Sequence, residues 1–72
     1  MEKNNELEKL AKRIKHIREE QKLTQEELAG ICDFDRTYIS LIERAKRNPS
    51  YFNLVRLSSG LNISLSELLK GL

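Results

Sequence analysis

Seventy-two residues, 39% of them apolar and 33% charged, fit one soluble domain near the lower size limit for unaided folding and exclude a disordered chain. A lone Cys32 and a lone His16 exclude a disulfide framework and a zinc site, and neither an apolar leader core near Met1 nor a membrane-length apolar run is present, so the cytoplasm is the default. The net charge of +2 is small but uneven: residues 1–35 carry nine acids against seven bases, whereas residues 36–56 carry Arg36, Arg44, Lys46, Arg47 and Arg56 against Glu43 alone.

In chain order, the first helix is predicted over residues 6–21. Leu7, Leu10, Ala11, Ile14 and Ile17 recur at helical spacing on one face, and Asn4 or Asn5 is available as the cap. Thr24-Gln25-Glu26-Glu27 has the form of a capping box and opens a short second helix through Leu28, Ala29 and Ile31 to Cys32. Asp33 ends it, because Asp tolerates the left-handed conformation better than most residues with a side chain. Asp35 caps a third helix over residues 36–44 with Ile39 and Ile42 inward and Phe34 as a hydrophobic staple.

Residues 46–50 form a basic loop closed by Pro49. Ser50 then caps a fourth helix over residues 51–60, with Leu54, Leu57 and Leu61 facing inward and Val55 partly so. Asn62 turns the chain, and Ser64-Leu65-Ser66-Glu67 is a second capping box before a fifth helix over residues 65–70. Five helices without any period-two pattern define an all-α domain with short connections.

The functional signal lies in residues 25–44. Two short helices meet at Asp33 around Leu28, Ala29, Cys32, Phe34, Ile39 and Ile42, and Ala29 is small enough for a close crossing. Arg36, Thr37, Ser40 and Arg44 project from the second of the pair. Helices crossed in this way let the second lie in a DNA major groove, which is about 12 Å wide, while the first touches the backbone.

The stretch LTQEELAGICDFDRTYISLIERAKRNPS, residues 23–50, followed by LNISLSELL, residues 61–69, resembles the helix-turn-helix regulators of the phage repressor and Cro type, also called XRE-like. Residues 35–48 look most like the controller proteins of restriction–modification systems, which are similarly short. The resemblance implies a five-helix repressor-like domain over residues 1–72, with the helix-turn-helix at about 24–44 and a dimerisation segment at about 61–72. It further implies a sequence-specific regulator that binds a palindromic operator in double-stranded DNA as a homodimer, with no cofactor, and with RNA polymerase as a possible further partner. A phage-type repressor, an antitoxin and a helical interaction module that has lost DNA binding are the alternatives. No paired carboxylates, nucleophile–base set or glycine-rich phosphate loop suggests an enzyme.

Each site residue has a role and a plainer rival. The resemblance implies that Gln25 reaches a phosphate, its plainer rival being support of the Thr24 cap. Arg36 is expected to pair with guanine O6 and N7, or else with Asp33 or Asp35. Thr37 is placed for a base edge or phosphate, and Tyr38 either packs or reaches the backbone through its hydroxyl. Ser40 is a weaker candidate, and Leu41 would suit a thymine methyl. Arg44, Lys46, Arg47 and Asn48 are read as phosphate contacts, which position without reading sequence.

The resemblance also implies an internal ion pair between Arg18 and Glu43. Cys32 is expected to fill space between the second and third helices, and His16 to be a surface residue. Leu65, Leu69 and Leu72 exceed what a short helix needs for one core, with Leu68 and Ile63 taking the core places. The surplus suggests a two-fold interface, although the same leucines could simply close the monomer. Two positions depart from the family pattern: Asp33 and Ala45 stand where glycine is common, and Ala45 is the less comfortable of the two, so the third helix is expected to end differently there.

Overall fold

The computed structural model describes residues 5–72 as five helices: α1 (Asn5–Glu20), α2 (Gln25–Cys32), α3 (Arg36–Glu43), α4 (Tyr51–Gly60) and α5 (Leu65–Leu68). Among the described residues there is no strand, as the hydrophobic periodicity required. Asn4 lies outside the described residues, and Asn5 is already helical. α5 is shorter than expected, with Leu69 as its C-cap.

Four helix starts follow from local chemistry. Thr24 Oγ1 accepts from the Glu27 N–H at 3.0 Å while Glu27 Oε1 accepts from the Thr24 N–H at 2.8 Å, which completes the capping box. Asp35 caps α3 through the Thr37 N–H at 2.9 Å, and Ser50 caps α4 through the Asn53 N–H at 3.1 Å. The second expected box forms only by half. Ser64 accepts from the Glu67 N–H at 3.0 Å, but the Glu67 carboxylate turns to Arg13 at 3.2 Å. A charged partner outside the turn outcompetes the backbone N–H.

The ends of α1 to α4 share one geometry. Lys22, Asp33, Ala45 and Asn62 all have φ near +60°, between 58° and 62°. Each is followed by a 6→1 bond from the next N–H, such as Phe34 to Ala29 at 2.8 Å and Lys46 to Leu41 at 2.8 Å, the Schellman pattern that satisfies otherwise orphaned carbonyls. The expectation that α3 would end differently at Ala45 is therefore corrected. Alanine takes the left-handed conformation because the Lys46–Leu41 and Ala45–Ile42 bonds, the latter at 3.0 Å, outweigh its steric cost.

The core gathers one face of each helix: Leu10, Ile14 and Ile17 from α1, Leu28 and Ala29 from α2, Ile39 and Ile42 from α3, Leu57 from α4 and Leu68 from α5, with Leu61 between the last two. α2 packs on α3 and α4, α1 on α3, and α5 on α4. Cys32 is buried, but its close neighbour lies on α4: a Cβ added at Gly60 would stand well inside van der Waals distance of Cys32 Sγ. Gly60 thus sets the α2–α4 approach. Burial pushes the Cys32 thiol up from its ordinary value, with nearby Arg56 offsetting part of the shift, so the sulfur is a protonated packing group.

Two stability changes follow. Gly60→Ala should destabilise by about 1–3 kcal/mol through overpacking, and Cys32→Ala in the same chain should recover most of the loss in a urea titration. Ala45→Gly should stabilise by about 1 kcal/mol by removing the left-handed penalty, raising the thermal midpoint by roughly 4–8 °C.

Candidate nucleic-acid interface

α2 and α3 are joined by the three residues Asp33, Phe34 and Asp35, and this tight turn holds α3 at the molecular surface. Ile39 and Ile42 of α3 are buried and Glu43 turns its side chain inward, which leaves the other positions of the helix wholly or partly outward. Arg36 and Thr37 at its first turn are exposed, Tyr38, Ser40 and Leu41 are partly so, and Arg44, Lys46, Arg47 and Asn48 continue the surface into the loop.

Charge distinguishes this face. Among the described residues no carboxylate pairs with Arg36, Arg44, Lys46 or Arg47, and Arg44 only donates from Nε to the Ser40 carbonyl at 3.4 Å. The plainer role weighed for Arg36 is not taken up: Asp35 is occupied with its cap, and Asp33 faces Arg56 at 3.9 Å. Meanwhile the acid on α3 is turned away. The Glu43 side chain is only 2% exposed and receives Arg18 Nε at 2.7 Å and Nη2 at 2.9 Å, a bidentate fork. The hydrogen bond from Arg18 to this carboxylate outweighs desolvation and raises the guanidinium pKa further, which favours the charged form. Its Nη1 also donates to the Leu23 carbonyl at 2.7 Å, where α1 ends.

Gln25 completes this network. Its Nε2 donates to Glu43 Oε1 at 3.0 Å, so the amide supports neither the Thr24 cap nor, with that hydrogen, a phosphate; the second N–H of the same amide is left for one. Asn48 is exposed and lines a groove with Glu6, Leu7 and Leu10 of α1. Tyr38 both packs and keeps its hydroxyl engaged: its ring lies 4.9 Å from that of Phe34, and its Oη accepts from Asn53 Nδ2 at 2.8 Å.

A family model described as helix-turn-helix matches residues 14–68, the span that contains every element just described except the start of α1. The chain belongs to the helix-turn-helix family. Within that family it is 51% identical over 57 residues to the control protein C.MunI of Mycoplasma sp, covering 78% of this chain and 77% of that protein. The controller protein C.AhdI from Aeromonas hydrophila superposes with a TM-score of 0.84 at 37% identity, covering 86% of this chain and 94% of that one. The controller protein C.Esp1396I, solved as a tetramer with its natural 35 base-pair operator, superposes with a TM-score of 0.85 at 41% identity, covering 93% of this chain and 92% of that one. C.AhdI and C.Esp1396I are both restriction–modification controller proteins.

Three features of this helix-turn-helix were not anticipated. Arg56 was counted with the basic stretch, yet its Nη2 donates to the carbonyls of Cys32 and Asp33 at 2.8 and 2.7 Å, and its guanidinium lies 4.2 Å from the Phe34 ring centroid. It therefore ties α4 to the turn instead of facing outward as a free cation. Arg13 does the same for α5, donating to the Leu68 and Glu67 carbonyls at 3.1 and 2.7 Å. Asn53 had no assigned role. Residue spacing signals none of these contacts, because each joins segments at least 15 positions apart.

The outward leucines divide. Leu65 and Leu69 are partly buried against the core, while Leu72 is 45% exposed. More apolar surface stands on α4, where Tyr51, Phe52 and Val55 are exposed. A shallow groove of about 560 Å³ runs between them and the start of α5, lined by Tyr51, Val55, Ile63 and Leu65 among others. His16 is at the surface, within 3.3 Å of Glu20 one turn later.

The Arg18–Glu43 pair yields a sharp expectation. Glu43→Ala leaves a guanidinium buried without its anion and should cost about 3–5 kcal/mol, enough to unfold much of so small a domain at ambient temperature. Replacing both partners, as in Arg18→Met with Glu43→Leu, should recover most of that loss in denaturant melts.

Proposed function

We propose that the chain regulates transcription by binding a roughly palindromic operator in double-stranded DNA as a homodimer, and that it is the controller of a restriction–modification system. The observation that carries this reading is the sorting of charge around α3: Arg36, Arg44, Lys46 and Arg47 are outward and unpaired, while Glu43 is folded inward against Arg18. A surface so arranged attracts phosphates along its length and presents Arg36 and Thr37 to base edges.

In this mechanism α3 of each subunit enters a major groove, with the two grooves about one helical turn apart. Arg36 takes guanine O6 and N7, and Thr37 takes a base edge or phosphate. Ser40 lends a weaker contact and Leu41 an apolar one to a thymine methyl. Arg44, Lys46, Arg47, Asn48, Gln25 and the Tyr38 hydroxyl position the protein on the sugar–phosphate backbone. The two subunits pair through α5 and the end of α4, with Leu65, Leu69 and Leu72 supplying apolar area alongside the groove bordered by Tyr51 and Val55. A relative solved as a tetramer on its operator supports both the DNA partner and an oligomer.

Regulation then operates by mass action among monomer, dimer and operator-bound states, without a small-molecule effector. The site of action is the cytoplasm, and RNA polymerase becomes a partner where the bound dimer activates.

Selection from a random duplex pool tests the reading directly. The enriched sites should be two-fold symmetric. Arg36→Ala should relax preference at one position per half-site, at a cost of about 1–3 kcal/mol, whereas Arg47→Ala should weaken all sequences alike and reduce the salt slope by about one per subunit. Enrichment of an asymmetric motif would remove the dimer, and no enrichment at any salt would remove the function.

A further inference from the structure

The side chain of Asn53 joins α4 to the face of α3 that the proposed function places against DNA. Its Nδ2 donates to Tyr38 Oη at 2.8 Å, and its backbone N–H is bonded to the Ser50 cap at 3.1 Å, so the residue sits at a fixed point in the first turn of α4. The Tyr38 ring is confined from other directions as well. Phe34 packs at 4.9 Å with its plane tilted by 59°, and the Arg47 guanidinium stands 5.9 Å from the ring centroid.

A phenol hydroxyl offers one hydrogen and two acceptor lone pairs. By donating, Asn53 takes up a lone pair and leaves the hydrogen uncommitted. Among the described residues nothing accepts it, since the Asn53 contact is the one hydrogen bond of Tyr38 Oη. The hydroxyl hydrogen lies near the ring plane and turns away from a donor at its oxygen. It is therefore directed off Asn53, on a ring that already carries a cation from the basic loop. An acceptor of negative charge arriving there meets a donor already oriented and Arg47 beside it.

We propose that Asn53 is a positioning residue for operator binding: its amide holds the Tyr38 hydroxyl so that the phenol hydrogen is presented to a DNA phosphate oxygen. The inference rests on the DNA-binding reading above. Asn53 itself touches no nucleotide in this arrangement; it acts through Tyr38. The benefit is pre-organisation, since an oriented donor loses less freedom when the phosphate arrives.

The test is a double-mutant cycle on the full chain, read by fluorescence anisotropy with the selected operator duplex and with a scrambled duplex over a range of salt. Asn53→Ala and Tyr38→Phe should each weaken operator binding roughly tenfold, as loss of a hydrogen bond to a charged acceptor does, and the double variant should be no weaker than either alone. The salt slope should stay at the wild-type value, because no cation is removed, while Arg47→Ala run alongside lowers it. Asn53→Asp, which can only accept, takes the phenol hydrogen for itself and should bind more weakly than Asn53→Ala. Circular dichroism at the assay temperature establishes that each variant is folded.

An unchanged affinity for Asn53→Ala overturns the proposal. So does an equal loss when the same substitution is made in the Tyr38→Phe chain, since Asn53 would then act without the hydroxyl. These failures leave wild-type binding intact and so are distinct from failure of the DNA-binding reading, in which the wild type binds neither duplex and both ideas fall.

Discussion

A single buried ion pair organises the α3 side of this molecule. Arg18 comes from α1 and Glu43 from the last residue of α3, and their fork is nearly closed to solvent. Two ions in such a place are costly unless further hydrogen bonds support them, and here Gln25 and the Leu23 carbonyl each supply one. The same contact does two jobs. It fixes α3 on α1 at a set angle, and it withdraws the only acid of residues 36–56 from the surface where a polyanion would lie. Remove the fork and the face becomes both less ordered and less positive.

Around that centre, long polar side chains do work that a larger protein would leave to hydrophobic burial. Arg13 closes the end of α5, Arg56 the end of α2, and Gln21 donates from Nε2 to the Leu61 carbonyl at 2.7 Å beyond α4. Each satisfies carbonyls that a helix terminus leaves without an intrahelical partner. Among the described residues no buried side-chain nitrogen or oxygen lacks a bond. For a chain this short, such ties hold helices whose mutual apolar contact is limited.

Much of this was legible beforehand, and for identifiable reasons. Thr24, Asp35 and Ser50 announce helix starts because capping is a local transaction between a side chain and an N–H two or three residues away. Asp33 announces a turn for the same local reason. The boundaries of α4 followed from Ser50 and the Leu54–Leu57–Leu61 spacing. What could not be read were pairings between distant segments. Nothing near Arg56 in sequence distinguishes it from Arg47, yet one grips the back of a turn and the other stands free of any carboxylate. Likewise Gln25 and Asn53 are ordinary polar residues until the fold brings them to Glu43 and Tyr38. The resemblance supplied the Arg18–Glu43 pair, which spacing alone does not give. Ala45 shows the opposite error: a steric preference was weighed without the two carbonyl bonds that override it.

The grip of Arg56 on the Cys32 and Asp33 carbonyls has a geometric consequence for any two-fold assembly built on α4. It ties the turn before α3 to the helix behind it, so in such an assembly the distance between two such turns would follow from how the subunits meet. A protein of this build acts as a caliper. For such an assembly on DNA, one base pair inserted at the centre of the site would lengthen the span and also rotate one half against the other by about a tenth of a turn, a change that the Arg56 tie opposes.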